Sequence, residues 1–286
     1  MSPRPNRPTD PAEASSARAG ERKGRHRTAA ASGDSHWQGS LTLGTGWALF
    51  VGRSGESSEH AHRAIQLCVT AGAPLELSLD GRSSRPAAAC LIPSGRRHAL
   101  LWQHGVAVLL YLEPESALGA ALDLCARRDG AWLSSHPELH RTRSLIAVGD
   151  RRPLALRDAC LGLWADPIGP GPTPRDPRVR AVCSEIRARL AESPLPARML
   201  AATVGLSASR LASLFRAEMG LALRPFVLWS RLERAVDRLA AGRTATEAAH
   251  EAGFSDAAHL ARTFRRMFGT SISRGLGRVT LLRLPT

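Results

Sequence analysis

The spacing of apolar positions changes character three times along the chain. Residues 1–36 carry Pro, Ser, Ala, Gly and Arg with no periodic apolar pattern, the composition of a disordered tail. From Trp37 to Leu112 the pattern is that of short strands. Leu75, Leu77 and Leu79 alternate with Glu76, Ser78 and Asp80, Asp80-Gly81 supplies turn chemistry, and Val106 to Leu112 is continuously apolar, as a strand buried on both faces would be. Several short strands at this density predict a sandwich or barrel.

Helical spacing follows. Pro114 opens a stretch through Leu118, Leu122 and Cys125, and a second runs from Leu154 through Leu161 to Trp164. Apolar faces on helices outside a small barrel need cover, from the barrel wall or from a second subunit, so this segment is the candidate dimerisation surface. Residues 169–177, GPGPTPRDP, have four prolines in nine positions and predict a semi-rigid linker at a domain boundary. Asp176 and Pro177 suit the N-cap and first position of a helix carrying Val179, Val182, Ile186 and Leu190. The expected organisation is a tail over 1–36, a sensor and dimerisation domain over 37–168, a linker over 169–177 and a further domain over 178–286.

That last domain contains a repeat. AATVGLSASRLASLFRAEMG at 201–220 matches AHEAGFSDAAHLARTFRRMFG at 249–269. Gly205 pairs with Gly253 at an offset of 48, whereas Leu211, Phe215 and Gly220 pair with Leu260, Phe264 and Gly269 at 49, so the second copy carries one extra residue at its turn. Each copy reads as a short helix, a glycine turn and a second helix capped by Ser207 or Ser255. Leu211, Leu214 and Phe215 in one copy, and Leu260, Phe264, Met267 and Phe268 in the other, clamp that helix onto the first and leave its opposite face free for a DNA major groove. Between the copies Phe226, Trp229, Leu232, Val236 and Leu239 predict a connecting helix of about 16 residues, ~24 Å, long enough to hold two reading heads roughly one duplex turn apart.

Charge supports this reading. The net charge is +14, and residues 175–286 hold 19 Lys+Arg against 9 Asp+Glu, whereas residues 37–174 hold 13 against 12. The basic half would attract a polyanion. Lys23 is the single lysine, so the cations are almost all arginines, whose planar fork grips a phosphate or a guanine edge with two hydrogen bonds. With 286 residues, 43% of them apolar, the chain can fill two cores, and it has no apolar run long enough for a membrane span. Cys68, Cys90, Cys125, Cys160 and Cys183 are odd in number, widely spaced and without a CxxC pair, which argues against a disulfide framework or a zinc finger. They fit a reducing cytosol, and no apolar signal segment opens the chain. A cytoplasmic location is expected.

Residues 178–274 resemble the DNA-binding domain of the AraC/XylS family of bacterial transcription regulators, most recognisably over RLERAVDRLAAGRTATEAAHEAGFSDAAHLARTFRRMFG. The resemblance puts the family's outward-facing positions on Ser209, Arg210, Ala212, Ser213 and Arg216 in the first recognition helix, and on Ala257, Ala258, His259, Ala261, Arg262 and Arg265 in the second. Of these, Arg210, Ser213, His259 and Arg262 are the candidates for base readout, and Arg216, Arg265 and Arg266 for phosphates. Arg231, Arg234 and Arg238 on the connecting helix read as a solvated face. After Gly269 the chain departs from the family pattern: Ile272 stands where a proline is usual, and GLGRVTLLRLPT replaces the usual end, so the last helix is left unassigned. The resemblance implies double-stranded promoter or operator DNA, a small-molecule effector, RNA polymerase and a second copy of the chain as partners, with no membrane involved.

In the strand region His60, His62 and Gln66, spaced HxHxxxQ, and then PSGRRH with His98, resemble the two cupin motifs, whose His, His, Glu and His converge on a metal. Alternation along a strand would put His60 and His62 on one face. Gln66 stands in place of the carboxylate, which removes an anionic ligand and weakens the case for a divalent ion. Regulators of the family commonly use a cupin-like domain for an organic effector without metal, so His60, His62, Gln66 and His98 are foremost effector-binding candidates, with metal ligation or plain packing as the alternatives. Trp47, Tyr111 and Trp102 are candidate pocket walls.

The fold class expected is α+β: an N-terminal cupin-like β-barrel with a helical dimerisation segment, then a C-terminal all-α domain with two helix-turn-helix motifs. The function expected is a ligand-responsive, sequence-specific DNA-binding transcription regulator with no catalysis and no required cofactor. The alternatives are a metal-dependent cupin enzyme with a DNA-binding appendage, which metal analysis would separate, and a nonspecific architectural DNA binder, which would show little preference for an operator over random duplex.

Overall fold

The computed structural model describes residues 36–83, 86–101, 105–129, 132–133, 137–149, 152–164, 176–192 and 194–284. The predicted tail, most of the proline-rich linker and Trp102 lie outside them.

The strand region folds as β1 (Gln38–Gly44), β2 (Trp47–Arg53), β3 (Ile65–Thr70), β4 (Leu77–Leu79), β5 (Arg82–Ser83), β6 (Ala89–Ile92), β7 (His98–Leu100) and β8 (Ala107–Leu112). It continues through α1 (Ala117–Asp129), β9 (Trp132–Leu133), α2 (Pro137–Ala147) and α3 (Pro153–Gly162). The helical half comprises α4 (Pro177–Ala188), α5 (Ala197–Ala202), α6 (Ala208–Met219), α7 (Leu223–Ala240), α8 (Ala245–Glu251), α9 (Ala257–Phe268) and α10 (Ile272–Leu276), and ends in β10 (Arg278–Arg283). The architecture is mixed α+β, a β-domain followed by a helical domain.

A seven-stranded sheet in the order β10-β1-β2-β8-β3-β6-β9 faces a three-stranded sheet in the order β5-β4-β7. The smaller sheet contains the expected turn: Asp80 and Gly81 both take positive φ, 48° and 76°, as a tight hairpin turn requires, and they join Leu79 to its partner Arg82. Between the sheets lie Phe50, Cys68, Leu75, Leu77, Ile92, Leu100 and Leu109. The other face of the large sheet, with Leu49, Ile65, Leu67 and Leu110, is covered by Leu122 of α1, Leu139 and Ile146 of α2, and Leu156 and Cys160 of α3. The large sheet therefore takes the apolar faces of the helical segment, which is why β3 and β8 are buried on both sides and read as continuous apolar runs. Leu124, Val148 and Leu154 remain exposed on its outer surface.

The end of the chain was the part the sequence left open. Ile272 starts the short helix α10, capped by Ser271, and the segment after it becomes β10, which runs parallel to β1 with Gln38 opposite Arg278 and Leu43 opposite Arg283. Val279 is buried against the inter-sheet core, so the last strand of the β-domain comes from beyond the helical domain.

Candidate nucleic-acid interface and internal cavity

Both repeat units are built by one turn chemistry. In each, a glycine takes a left-handed conformation, φ 66° at Gly205 and 80° at Gly253, and the next amide reaches back five residues: Leu206 N–H donates to Ala201 O and Phe254 N–H to Ala249 O, each at 2.9 Å. This is the Schellman arrangement that ends a helix sharply. At Gly253 space also forbids a side chain, because a Cβ would overlap the carbonyl of Leu190. The second helices then start differently. Ser207 caps α6 as expected, but α9 is capped by Asp256 rather than Ser255, its carboxylate accepting from His259 N–H at 2.6 Å. Asp256 is the extra residue that shifts the offset from 48 to 49. A carboxylate at a helix N-terminus also meets the positive end of the dipole, and these hydrogen bonds hold its pKa below the usual carboxylate range. Both helices end in left-handed glycines, Gly220 and Gly269.

Each recognition helix is clamped from behind. Leu211 and Phe215 of α6 pack with Val182 and Ile186 of α4 and Phe226 of α7, and truncating Phe215 to Ala would cost about 3–5 kcal/mol. Leu260, Phe264 and Met267 of α9 pack on Trp229, Leu232 and Val236. The connecting helix α7 has 18 residues, so it spans about 27 Å, slightly more than its apolar spacing predicts. On α6, Ser209, Arg210, Ala212, Ser213 and Arg216 are exposed; on α9, so are Ala258, Ala261, Arg262, Arg265 and Arg266. Ala257 and His259 are half-buried. The His259 ring stands edge-on to Phe254 at 5.2 Å, with Nδ1 3.2 Å from Ser255 Oγ, and so braces the turn.

The arginine stripe on α7 is not a solvated face. Arg231 donates to Glu192 O at 3.1 Å, Arg238 pairs with Glu251 at 3.0 Å, and Arg234 has a buried Nε without a hydrogen-bond partner. Arg231 and Arg238 tie α7 to its neighbours, and Arg234 lines the cavity described below.

The two heads differ in what supports them. The apolar cluster under α6 draws on α4 to α7, whereas the cluster under α9 includes Ala64 and adjoins Leu41, Leu43 and Tyr111 of the β-domain. Ser58 N–H and Ser58 Oγ each donate to Gly269 O at 2.9 Å. A Cβ on Gly269 would overlap Ser58 O and lie 2.7 Å from His60 Nδ1.

Next to this joint the sequence-selected residues converge. His60 and His62 lie in the loop before β3, not on a strand, so strand alternation does not bring them together. His60 instead forms an isolated bridge with His98, and the three rings gather with centroids 4.2–5.6 Å apart. His62 Nε2 and His98 Nε2 lie 2.8 and 3.2 Å from Gln66 Oε1. Burial pulls His60 below its ordinary value, and burial with like-charged neighbours takes His62 to about 4 and His98 to about 2.

A cavity of about 610 Å³ opens between the β-domain and the helical domain, walled by Trp37, Trp47, Phe50 and Tyr111 on one side and Trp229, Phe264 and Phe268 on the other. Trp47 and Tyr111 thus lie where the sequence suggested. His60, Gln66 and His98 do not line it; His62 adjoins it through Tyr111, Trp229 and Phe268, at 5.6, 6.0 and 5.6 Å. The sequence reading missed Trp229, Phe268 and the charged rim. At that rim Arg187 pairs with Glu113 at 3.2 Å and Arg283 with Asp237 at 2.7 Å. Burial and the charge of Glu113 push the Glu233 carboxyl up to about 8, although it accepts from Trp229 Nε1 at 2.6 Å.

A family profile described as "Helix-turn-helix domain" matches residues 200–276. A solved protein described as a probable AraC family transcriptional regulator from Rhodopseudomonas palustris is 33% identical over 36% of this chain and 97% of its own, with a TM-score of 0.33. Over most of the chain the fold is similar to that of ToxT from Vibrio cholerae. An apo form is 10% identical and covers 81% of this chain and 97% of that one, with a TM-score of 0.57. A form bound to an unsaturated fatty acid is 9% identical and covers 82% and 97%, with a TM-score of 0.55. No curated protein matches the sequence. The two heads on one connecting helix define a DNA-binding transcription regulator of the helix-turn-helix class. Residues 200–276 thus form a helix-turn-helix domain of the AraC type.

Proposed function

We propose that this regulator answers to an apolar, carboxylate-bearing small molecule held in the cavity between its two halves, and that occupancy changes how the second reading head meets DNA. The observation that carries this is the cavity itself. Its volume falls in the range of small-molecule sites, about 300–1,000 Å³, and its walls are largely aromatic. An unsaturated fatty acid, which the ToxT form above binds, has this shape and charge. Arg234, whose Nε has no protein partner, is the proposed anchor for the carboxylate. Because Phe264 and Phe268 of α9 form part of the wall, a ligand that fits only one arrangement of α9 against the β-domain shifts the population toward it.

In the same reading, Arg210, Ser213 and Arg262 contact bases, Arg216, Arg265 and Arg266 contact phosphates, and Ser209, Ala257 and Ala258 line the groove. His259 moves from base readout to bracing, because its ring is engaged by Phe254 and Ser255. The sensor spans 37–168 and the reader 178–286, with β10 returning to the sensor. A homodimer pairing through α1 to α3, RNA polymerase as a protein partner and action in the cytoplasm complete it. Catalysis has no part in it.

The test is titration of the purified full chain with an unsaturated fatty acid, read by tryptophan emission and by operator affinity. A saturable emission change with an operator shift of about fivefold or more is expected. Arg234→Met should weaken carboxylate ligands by about tenfold or more and spare neutral ones. Emission and operator affinity that stay constant across apolar acids would refute the proposal.

A further inference from the structure

We infer that the loop between β2 and β3, residues 54–64, is a yoke that grips both recognition heads, the second through Ser58 and the first through Arg63, and so fixes the tilt of each head against the connecting helix. The inference stands on these contacts and not on what occupies the cavity.

The loop is a firm mount. Ser57 N–H donates to Leu100 O at 3.0 Å, and Leu100 N–H donates to Ser57 Oγ at 2.9 Å. His60 and His98 exchange main-chain hydrogen bonds at 2.8 Å, and Gly95 N–H donates to His62 O at 2.9 Å. The loop is therefore pinned to β7 and moves with the small sheet. Ser58 holds Gly269 at the end of α9. Arg63 lies five residues further on, at most about 18 Å away along the chain. Its side chain is 5% exposed and pairs with Glu115, in the turn before α1. Its guanidinium carbon stands 4.7 Å from the centroid of the Phe226 ring on α7. Phe226 is fully buried and meets Phe215 of α6 edge-on at 5.4 Å, so the contacts run from Arg63 to the underside of the first recognition helix. Arg187 of α4 closes the same corner, 5.8 Å from the Phe226 ring and paired with Glu113 of the β-domain.

Stability alone does not explain a guanidinium in this corner. Taking it out of water costs more than burying an apolar chain of like size, and the ion pair with Glu115 offsets that only in one geometry. The cation over the ring face adds an attraction that is equally local. Nε and Nη1 of Arg63 are buried with no hydrogen-bond partner among the described residues, a cost that hydration would relieve. Burial pulls the pKa of Arg63 down only to about 10, so the group is cationic in either setting. Arg63 is thus a positioning residue with two discrete placements, stacked on Phe226 or hydrated away from it. Both heads pack on α7, which sets the distance between them. The loop adds a second point of support to each, and with it a preferred tilt.

The experiment measures the full-length protein on an operator recovered by selection, and on versions with the two half-sites moved one base pair apart or together. Each shift turns one half-site against the other by about 35°. Wild type should lose about tenfold or more in affinity on the shifted sites, as for a mismatched contact. Arg63→Lys keeps Glu115 paired but lacks the planar stack on Phe226. Gly269→Ala puts a Cβ against Ser58 O. Each should shrink the spacing penalty by about fivefold or more. Amide hydrogen exchange should quicken in α6 but not α9 for Arg63→Lys, and in α9 but not α6 for Gly269→Ala. Arg63→Met combined with Glu115→Gln, which leaves no charge unpaired, should match Arg63→Lys. A contact that serves stability alone would lower affinity on all three spacings alike. That result, or a full spacing penalty in both Arg63 variants, overturns the yoke.

Discussion

Ser58 holds the end of the second recognition helix, its main-chain N–H and its hydroxyl both donating to the Gly269 carbonyl at 2.9 Å. The equivalent glycine of the first head, Gly220, has the same left-handed backbone and no atom within 4 Å of where a Cβ would stand. Two heads with one internal design are therefore mounted differently, the second on α7 and the β-domain together and the first on α4, α5 and α7.

Paired alanine substitutions measure that difference. Gly220→Ala should cost about 1–2 kcal/mol, the strain of placing a Cβ on a left-handed backbone. Gly269→Ala should cost that and at least about 1 kcal/mol more, because the new atom also overlaps Ser58 and His60. Urea denaturation of the two variants reads the excess, and equal losses would mean that the joint is not tightly packed.

On operator DNA the exposed arginines of α9 should separate by role. Arg262→Ala is expected to cost about 1–3 kcal/mol and to relax preference at one base position. Arg266→Ala should weaken all sequences alike and reduce the salt slope by about one. Affinities across single-base operator variants at two salt concentrations check both; uniform loss in Arg262→Ala would move it to the phosphate group.

What could be read from the sequence depended on how local the encoding was. Gly205 and Gly253, Leu211 and Leu260, and Phe215 and Phe264 announce the heads because a left-handed turn and a 3.6-residue stripe are written within twenty residues. Asp256 escaped because Ser255, one position earlier, is an equally good cap on paper, and only the extra turn residue decides between them. RVTLLR at 278–283 is strand-like, but its partner, the edge of β1, lies some 240 residues away, and nothing local announces such a pairing. The cavity escaped for a related reason. Trp229 and Phe268 sit on the apolar stripes that pack α7 and α9, and helical spacing does not distinguish a residue filling a core from one lining a void. The histidines were legible as a cluster, though through a loop and a bridge rather than along a strand.

Cutting the chain after Gly277 tests the role of β10. Loss of the buried Val279 alone removes about 1.5–3 kcal/mol of burial, and β1 loses the partner that covers its edge. Amide hydrogen exchange should quicken along β1 while α5 and α6 keep their protection. Unchanged protection of β1 would show that the strand contributes little.

Glu233 gives the protein a pH dependence of defined sign. Its carboxyl is held near 8 in the folded chain against an ordinary value of 4.5, so between these values the folded state keeps a proton that the unfolded state has lost. The stability this group contributes is complete below about 4.5 and disappears as the pH rises through about 8. Glu233→Gln should flatten that slope in thermal melts, and a variant with the wild-type slope would place the titration elsewhere.

Footprinting of the full chain on a genomic operator recovered by selection tests the central claim most directly. Two protected segments in successive major grooves on one face of the duplex are predicted, the segment under α9 fading in Arg262→Ala while the one under α6 persists. A single protected groove, or simultaneous loss of both segments in that variant, would contradict the reading of two heads mounted on one connecting helix.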